Sequence, residues 1–286
     1  MSILKRYSVL ALCYFLIAAI LGIVLRLFPI INVDATYRYI VHTHSHIALL
    51  GWIYIALTTC IYYAFIKKEK QKKQVLLFGF TQITIVGMLL SFPFTGYALI
   101  SIIFSTLFLL ASYWFYYFFR KNNSYNKNKY SYKFINASLI FMIISSIGPW
   151  SLGIIMSTLG NTSHWYKNAI YFYLHFQYNG WFIFCLIGLF IYIIEKSDIS
   201  LPKKTIASFF KLLIISCFFT FFLSTLWIKP HPIFYILAGV GAIVQIISFL
   251  KFSTIIQLVK KELKQHITKF NYNILVLIFV LFTFKI

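Results

Sequence analysis

Acidic side chains are scarce in this sequence: five among 286 residues, against 26 lysines and arginines. Asp34, Glu69, Glu195, Asp198 and Glu262 lie between the apolar runs or at their ends, so no carboxylate is expected at membrane depth. That absence argues against intramembrane proton relays and most ion-coupled transporters, which need an ionisable group near the midplane. It argues equally against a carboxylate-bridged di-iron centre, which needs inward-facing glutamates on a helical bundle. Cysteine is also sparse. Cys13, Cys60, Cys185 and Cys217 stand singly in apolar segments without CxxC spacing, which excludes a disulfide framework and a cysteine zinc site. Neither GxSxG nor HExxH occurs, so those two hydrolase chemistries lack their motifs. Charged residues make up only 11% of the chain, where a soluble domain carries about 25%. A soluble enzyme, a nucleic-acid binder and a disordered chain are thereby excluded.

What the sequence has instead is apolar surface. Hydrophobic residues make up 61% of the chain and aromatics 21%, and the mean hydropathy is +0.84. A bilayer core of about 30 Å needs roughly 20 apolar residues as helix. On that scale the sequence predicts nine spans: 7–28, 43–66, 75–92, 97–119, 134–157, 169–194, 205–228, 233–250 and a short last one at 270–284. The expected fold is all-α, a polytopic bundle of about nine transmembrane helices forming one domain over 1–286. No internal repeat and no domain boundary are expected. The first run exceeds 20 residues and lacks a small-residue cleavage site, so it reads as a span rather than a signal peptide.

The net charge of +21 is concentrated in short clusters between these runs. With the nine spans alternating, Lys5, Arg6, 67–73, 120–133, 196–211 and 251–269 share one side and hold 21 of the 26 bases. Arg26, Arg38, Lys167, Lys229 and Lys285 fall on the other. Basic loops stay in the cytoplasm. The N-terminus is therefore expected inside, the C-terminus outside, and the protein in a bacterial inner membrane with no nucleic-acid partner. The two longest basic stretches, 120–133 and 251–269, read as solvated topology signals that are also able to lie on anionic headgroups.

Histidine supplies the candidate chemistry. Six of the seven, His42, His44, His46, His164, His175 and His231, fall at or near the outer face of this topology, and only His266 falls inside. His42 and His46 are i,i+4 on one helix face, whereas His44 points about 200° around from His42. His175 lies roughly 10 Å into the sixth span, where a buried imidazole needs a hydrogen-bond partner or a metal. His231 sits in the turn KPHP at 229–232. Two readings compete for the HTHSH run and His175: solvated or satisfied imidazoles, or ligands to haem or a metal. For His164 and His231, a wet interfacial role competes with ligation. Trp52, Trp165, Tyr171, Tyr173, Tyr178 and Trp181 read mostly as an interfacial aromatic belt.

HTHSHIALLGW (42–52), opening the second span, resembles the second helix of haem–copper oxidase catalytic subunits, in which an outer-face histidine binds the low-spin haem. The resemblance implies His44 or His46 as that ligand, with Gly51 and Trp52 completing the pattern. YLHFQYNGWFIF (173–184) resembles the family's sixth helix, whose histidine binds the active-site metal, and implies that role for His175. The nearest branch is the cbb-type oxidases and nitric oxide reductases, with the NnrS-like membrane haem proteins. The implied cofactors are haem and copper or iron, with a respiratory redox or gas-related role and oxidoreductase chemistry if the protein is an enzyme. Three departures stand beside this. KPHP offers His231 alone where the family has a histidine pair, and the position four after His175 is Asn179 rather than tyrosine. The spans also end before the family's tenth helix, with its remaining haem ligands. Complete oxygen or nitric oxide reduction therefore requires ligands from elsewhere, such as another membrane subunit. A metal or haem carrier, an assembly factor and a non-catalytic membrane scaffold are the alternatives on the same residues.

Overall fold

The computed structural model of the chain describes residues 3–67 and 71–266. Eight helices among them are long and apolar enough to cross a membrane: α1 (Ile3–Leu27), α2 (Tyr37–Phe65), α3 (Lys72–Thr95), α4 (Leu99–Asn122), α5 (Tyr130–Thr158), α6 (His164–Lys196), α7 (Lys203–Ile228) and α8 (Ile233–Gln265). The fold is all-helical and suited to a lipid bilayer as a multi-pass membrane protein. The expected ninth span, 270–284, lies outside the described residues. Eight of the nine expected spans have a counterpart here, and three of these helices, α3, α5 and α6, run longer than the hydropathy reading at both ends.

The chain forms two compact units, Met1–Asn126 with α1–α4 and Lys127–Ile286 with α5–α8. In the first, α1 buries a stripe of Tyr7, Ala11, Tyr14 and Ala18 and leaves Leu12, Leu16, Ile20 and Ile23 exposed. A helix that is apolar on its outward face as well is built for lipid. The stripe alternates large and small side chains. Tyr7 donates to Gln74 Oε1 at 3.2 Å and Tyr14 to Gln82 Oε1 at 2.8 Å, two polar rungs between α1 and α3. The ends of α2 and α4 are tied by an antiparallel bridge between Ile66 and Asn123.

In the second unit, α5 breaks at Ser146 into Tyr130–Ser145 and Ile147–Thr158. Pro149 explains the break, because it has no N–H to return to the carbonyl four residues back. Phe134, Phe141, Phe176, Phe184, Phe209 and Phe252 form the middle of this unit's core. α7 tightens into a 3₁₀ turn over Phe221–Ile228 and ends on Lys229 in the left-handed conformation (φ 50°) before Pro230 and Pro232. Glu195, near the end of α6, accepts from the backbone N–H groups of Tyr130 (3.0 Å) and Ser131 (3.4 Å) and from the Ser131 hydroxyl. A carboxylate on the first N–H groups of α5 both caps that helix and meets its dipole. Glu195→Gln is expected to lower the stability of this unit by about 1 kcal/mol, read as a drop in thermal midpoint. An unchanged midpoint would remove the capping role.

The two units are built to one plan that hydropathy alone does not display. α2 passes through a π-helix at Ile47–Ile53 and α6 through one at Phe176–Phe182, seven residues each. Each begins directly after a histidine, and each contains the pattern His-x4-Gly-Trp: His46, Gly51 and Trp52 in one, His175, Gly180 and Trp181 in the other. Both glycines meet an aromatic ring from the first helix of their own unit. A methyl group at Gly51 would lie 3.0 Å from Tyr14 Cγ, and one at Gly180 would lie 2.6 Å from Phe141 Cβ.

Candidate functional site

The α2 site is set by where its rings are held. His46 Nδ1 lies 2.8 Å from the His42 carbonyl oxygen, which accepts only, so Nδ1 carries the proton and Nε2 keeps its lone pair. Tyr97 OH donates to that lone pair at a long 3.4 Å. His44 is held in the same manner on the opposite side: its Nδ1–H donates to the Ala18 carbonyl of α1 at 2.9 Å. Gly22 makes room for the His44 ring, whose Cε1 lies 3.2 Å from where a Gly22 Cβ would sit.

His42 and His46 are brought together against one surface. Their ring centroids lie 4.6 and 5.8 Å from that of Tyr97, and the His46 ring sits 4.4 Å from Phe92. The one-turn spacing accounts for the pair, and the 200° offset places His44 on α1 instead. No single ion is therefore shared by His44 and His46 in this arrangement.

The α6 histidine is in the opposite tautomer. His175 Nε2 faces the Cys217 carbonyl of α7 at 2.8 Å and must donate to it, and Nδ1 accepts from Asn179 Nδ2 at 3.2 Å. The ring is buried between Phe176 and Phe221. Both nitrogens are thus engaged, and a metal would have to displace Asn179 to reach Nδ1. His231 is exposed, and its Nδ1 accepts from Ile233 N at 3.4 Å within its own turn. His164 packs its ring on Trp227 at 5.4 Å. Among the described residues no three His, Cys, Asp or Glu side chains gather closely enough to hold a metal ion.

Tyr97, Phe92 and Cys217 belong to these sites and were not singled out as site residues from the sequence. Cys217 contributes its backbone carbonyl, which no side-chain motif encodes. The one legible signal was the second His-x4-Gly-Trp, 129 positions after the first. Compared with known proteins, the chain matches no family model, no curated protein and no solved structure.

Proposed function

We propose that the protein is a haem–copper-oxidase-like protein of the bacterial inner membrane, with its N-terminus in the cytoplasm, that holds haem or a transition metal through imidazoles of α2 near the outer face. The observation that carries this reading is the state of His44 and His46. In each, Nδ1–H donates to a main-chain carbonyl and Nε2 keeps its electron pair, which at His46 a metal would take over from the long contact with Tyr97; this is the arrangement in which ligating histidines are held. Neutral imidazole suits iron, copper and zinc. These residues fit one imidazole ligand to a haem, or the His42–His46 pair to a metal ion, with the further ligands supplied by another membrane subunit. A haem iron bound there would supply one-electron transfer or a position for a diatomic gas. The protein's own part is to fix ring orientation and tautomer and to keep the site apolar with Phe92 and Tyr97. His175 joins the ligand set only if Asn179 yields Nδ1, and His231 only if its turn opens.

The His42–His46 pair beside Tyr97, which is 48% exposed, favours a second reading: a carrier or assembly factor that passes metal or haem on. Reduced-minus-oxidised spectra and a pyridine haemochrome assay on protein purified in mild detergent separate the two. Near-stoichiometric haem with a sharp α band is the expected result. Substoichiometric, exchangeable metal without a Soret band selects the carrier, and neither haem nor metal overturns both readings.

A further inference from the structure

The second unit contains a cavity of about 60 Å³ between α6, α7 and α8. Asn179, Ser216, Thr220, Gln245 and Ser248 give it a polar side, and Phe209 and Phe252 belong to its apolar side. None of its lining side chains is charged. Ser248 is wholly buried, and its hydroxyl has no hydrogen-bond partner. A buried hydroxyl left without a partner is costly, and a space of this volume is well above the 10–15 Å³ needed for one water.

The cavity also recurs. The first unit has a smaller one of about 20 Å³, lined by Tyr54, Thr58, Gln74, Phe78, Thr81 and Phe115. On the second helix of each unit, Tyr54 and Thr58 stand where the His-x4-Gly-Trp register puts Ile183 and Ile187. On the third helix, Gln74, Phe78 and Thr81 share the spacing of Phe209, Leu213 and Ser216. The two voids are thus lined from like-spaced positions on the second and third helices of their units. The larger is in the second unit, where isoleucine occupies the position of a tyrosine.

We infer that the second-unit cavity is a binding site for a small, uncharged, hydrogen-bonding molecule of a few heavy atoms: water, or a neutral solute such as a short amide or alcohol. The absence of charged lining excludes ions. The one-sided polarity orients the molecule's donors and acceptors toward Ser248 and Asn179 and its carbon skeleton toward the phenylalanines. Occupancy partners the Ser248 hydroxyl and places the guest beside Asn179, which itself holds His175. This inference stands independently of whether α2 binds haem or a metal.

The test is thermal unfolding of the purified full-length protein with acetamide as probe and acetate as its charged counterpart. Ile183→Tyr fills the cavity with the residue the first unit already accommodates, and Ser248→Ala removes the orphan hydroxyl. A midpoint raised by about 2 °C by acetamide, unchanged by acetate and lost in Ile183→Tyr, establishes a solute site. No response to acetamide, with Ser248→Ala lowering the midpoint, shows the same chemistry satisfied by water. No response to acetamide, with Ser248→Ala raising the midpoint or leaving it unchanged, means a dry cavity and overturns the inference.

Discussion

Gly180→Ala is expected to destabilise the second unit by about 2 kcal/mol or more, although the same exchange in an ordinary helix stabilises by about 1 kcal/mol. The sign follows from one approach. The added methyl would lie 2.6 Å from Phe141 Cβ, an atom fixed to the α5 backbone, so rotation of the phenylalanine ring brings no relief. Phe141→Ala leaves that Cβ in place and should not rescue the variant, whereas Phe141→Gly should do so in part. Gly51→Ala meets Tyr14 Cγ at 3.0 Å, a softer clash with a smaller loss. Gly79 on α3 has nothing within 4 Å of its added methyl, so Gly79→Ala should be neutral or stabilising. Unfolding midpoints of the three single variants give the ordering. If Gly180→Ala matches Gly79→Ala, the close seating of α5 on the α6 π-helix is wrong.

Substitution of the histidines should separate ligation from packing. On the proposed function, His46→Ala or His44→Ala lowers bound haem or metal by about tenfold or more with little change in the unfolding midpoint. His175→Ala acts first on the fold. It leaves the buried Cys217 carbonyl and the Asn179 amide without their partner, a loss of about 2–3 kcal/mol. Cofactor content normalised to folded protein, read beside the midpoint, keeps the effects apart. Full cofactor content in both His44→Ala and His46→Ala would sink ligation by α2.

The bilayer-spanning segments were legible because a long apolar run carries its own evidence. Their ends were not. Tyr37–Ile40 continues α2 and Tyr130–Lys133 continues α5 through polar residues that a hydropathy window rejects. Helical hydrogen bonding does not stop where hydrocarbon stops, and at an interface polar side chains cost a helix little. The facing of the α2 histidines could be read from residue spacing. The opposite tautomers of His46 and His175 could not, since each depends on a carbonyl contributed by backbone, His42 in one case and Cys217 far along the chain in the other. The common plan of the two units was hidden for a related reason. Its shared marks are a few fixed positions among apolar residues that a bilayer lets interchange freely.

The paired π-helices give this chain two places where the loss of a single codon should be borne more easily than elsewhere in the same helices. A π-helix is an α-helix that has absorbed a surplus residue, and each residue of an α-helix advances the azimuth by about 100°. Excising one residue between His46 and Trp52 would restore a regular helix of nearly the same length and the same hydropathy, fully able to insert. The segments on either side would keep their facing, because the wider turn had already taken up the extra residue. The pair His42 and His46 would keep Tyr97 while Tyr54 kept its seat against Phe108; one residue lost from the regular helix between Tyr54 and Phe65 would instead turn its two sides apart by about 100°. That second lesion escapes any reading of membrane topology, because what it alters is phase rather than composition.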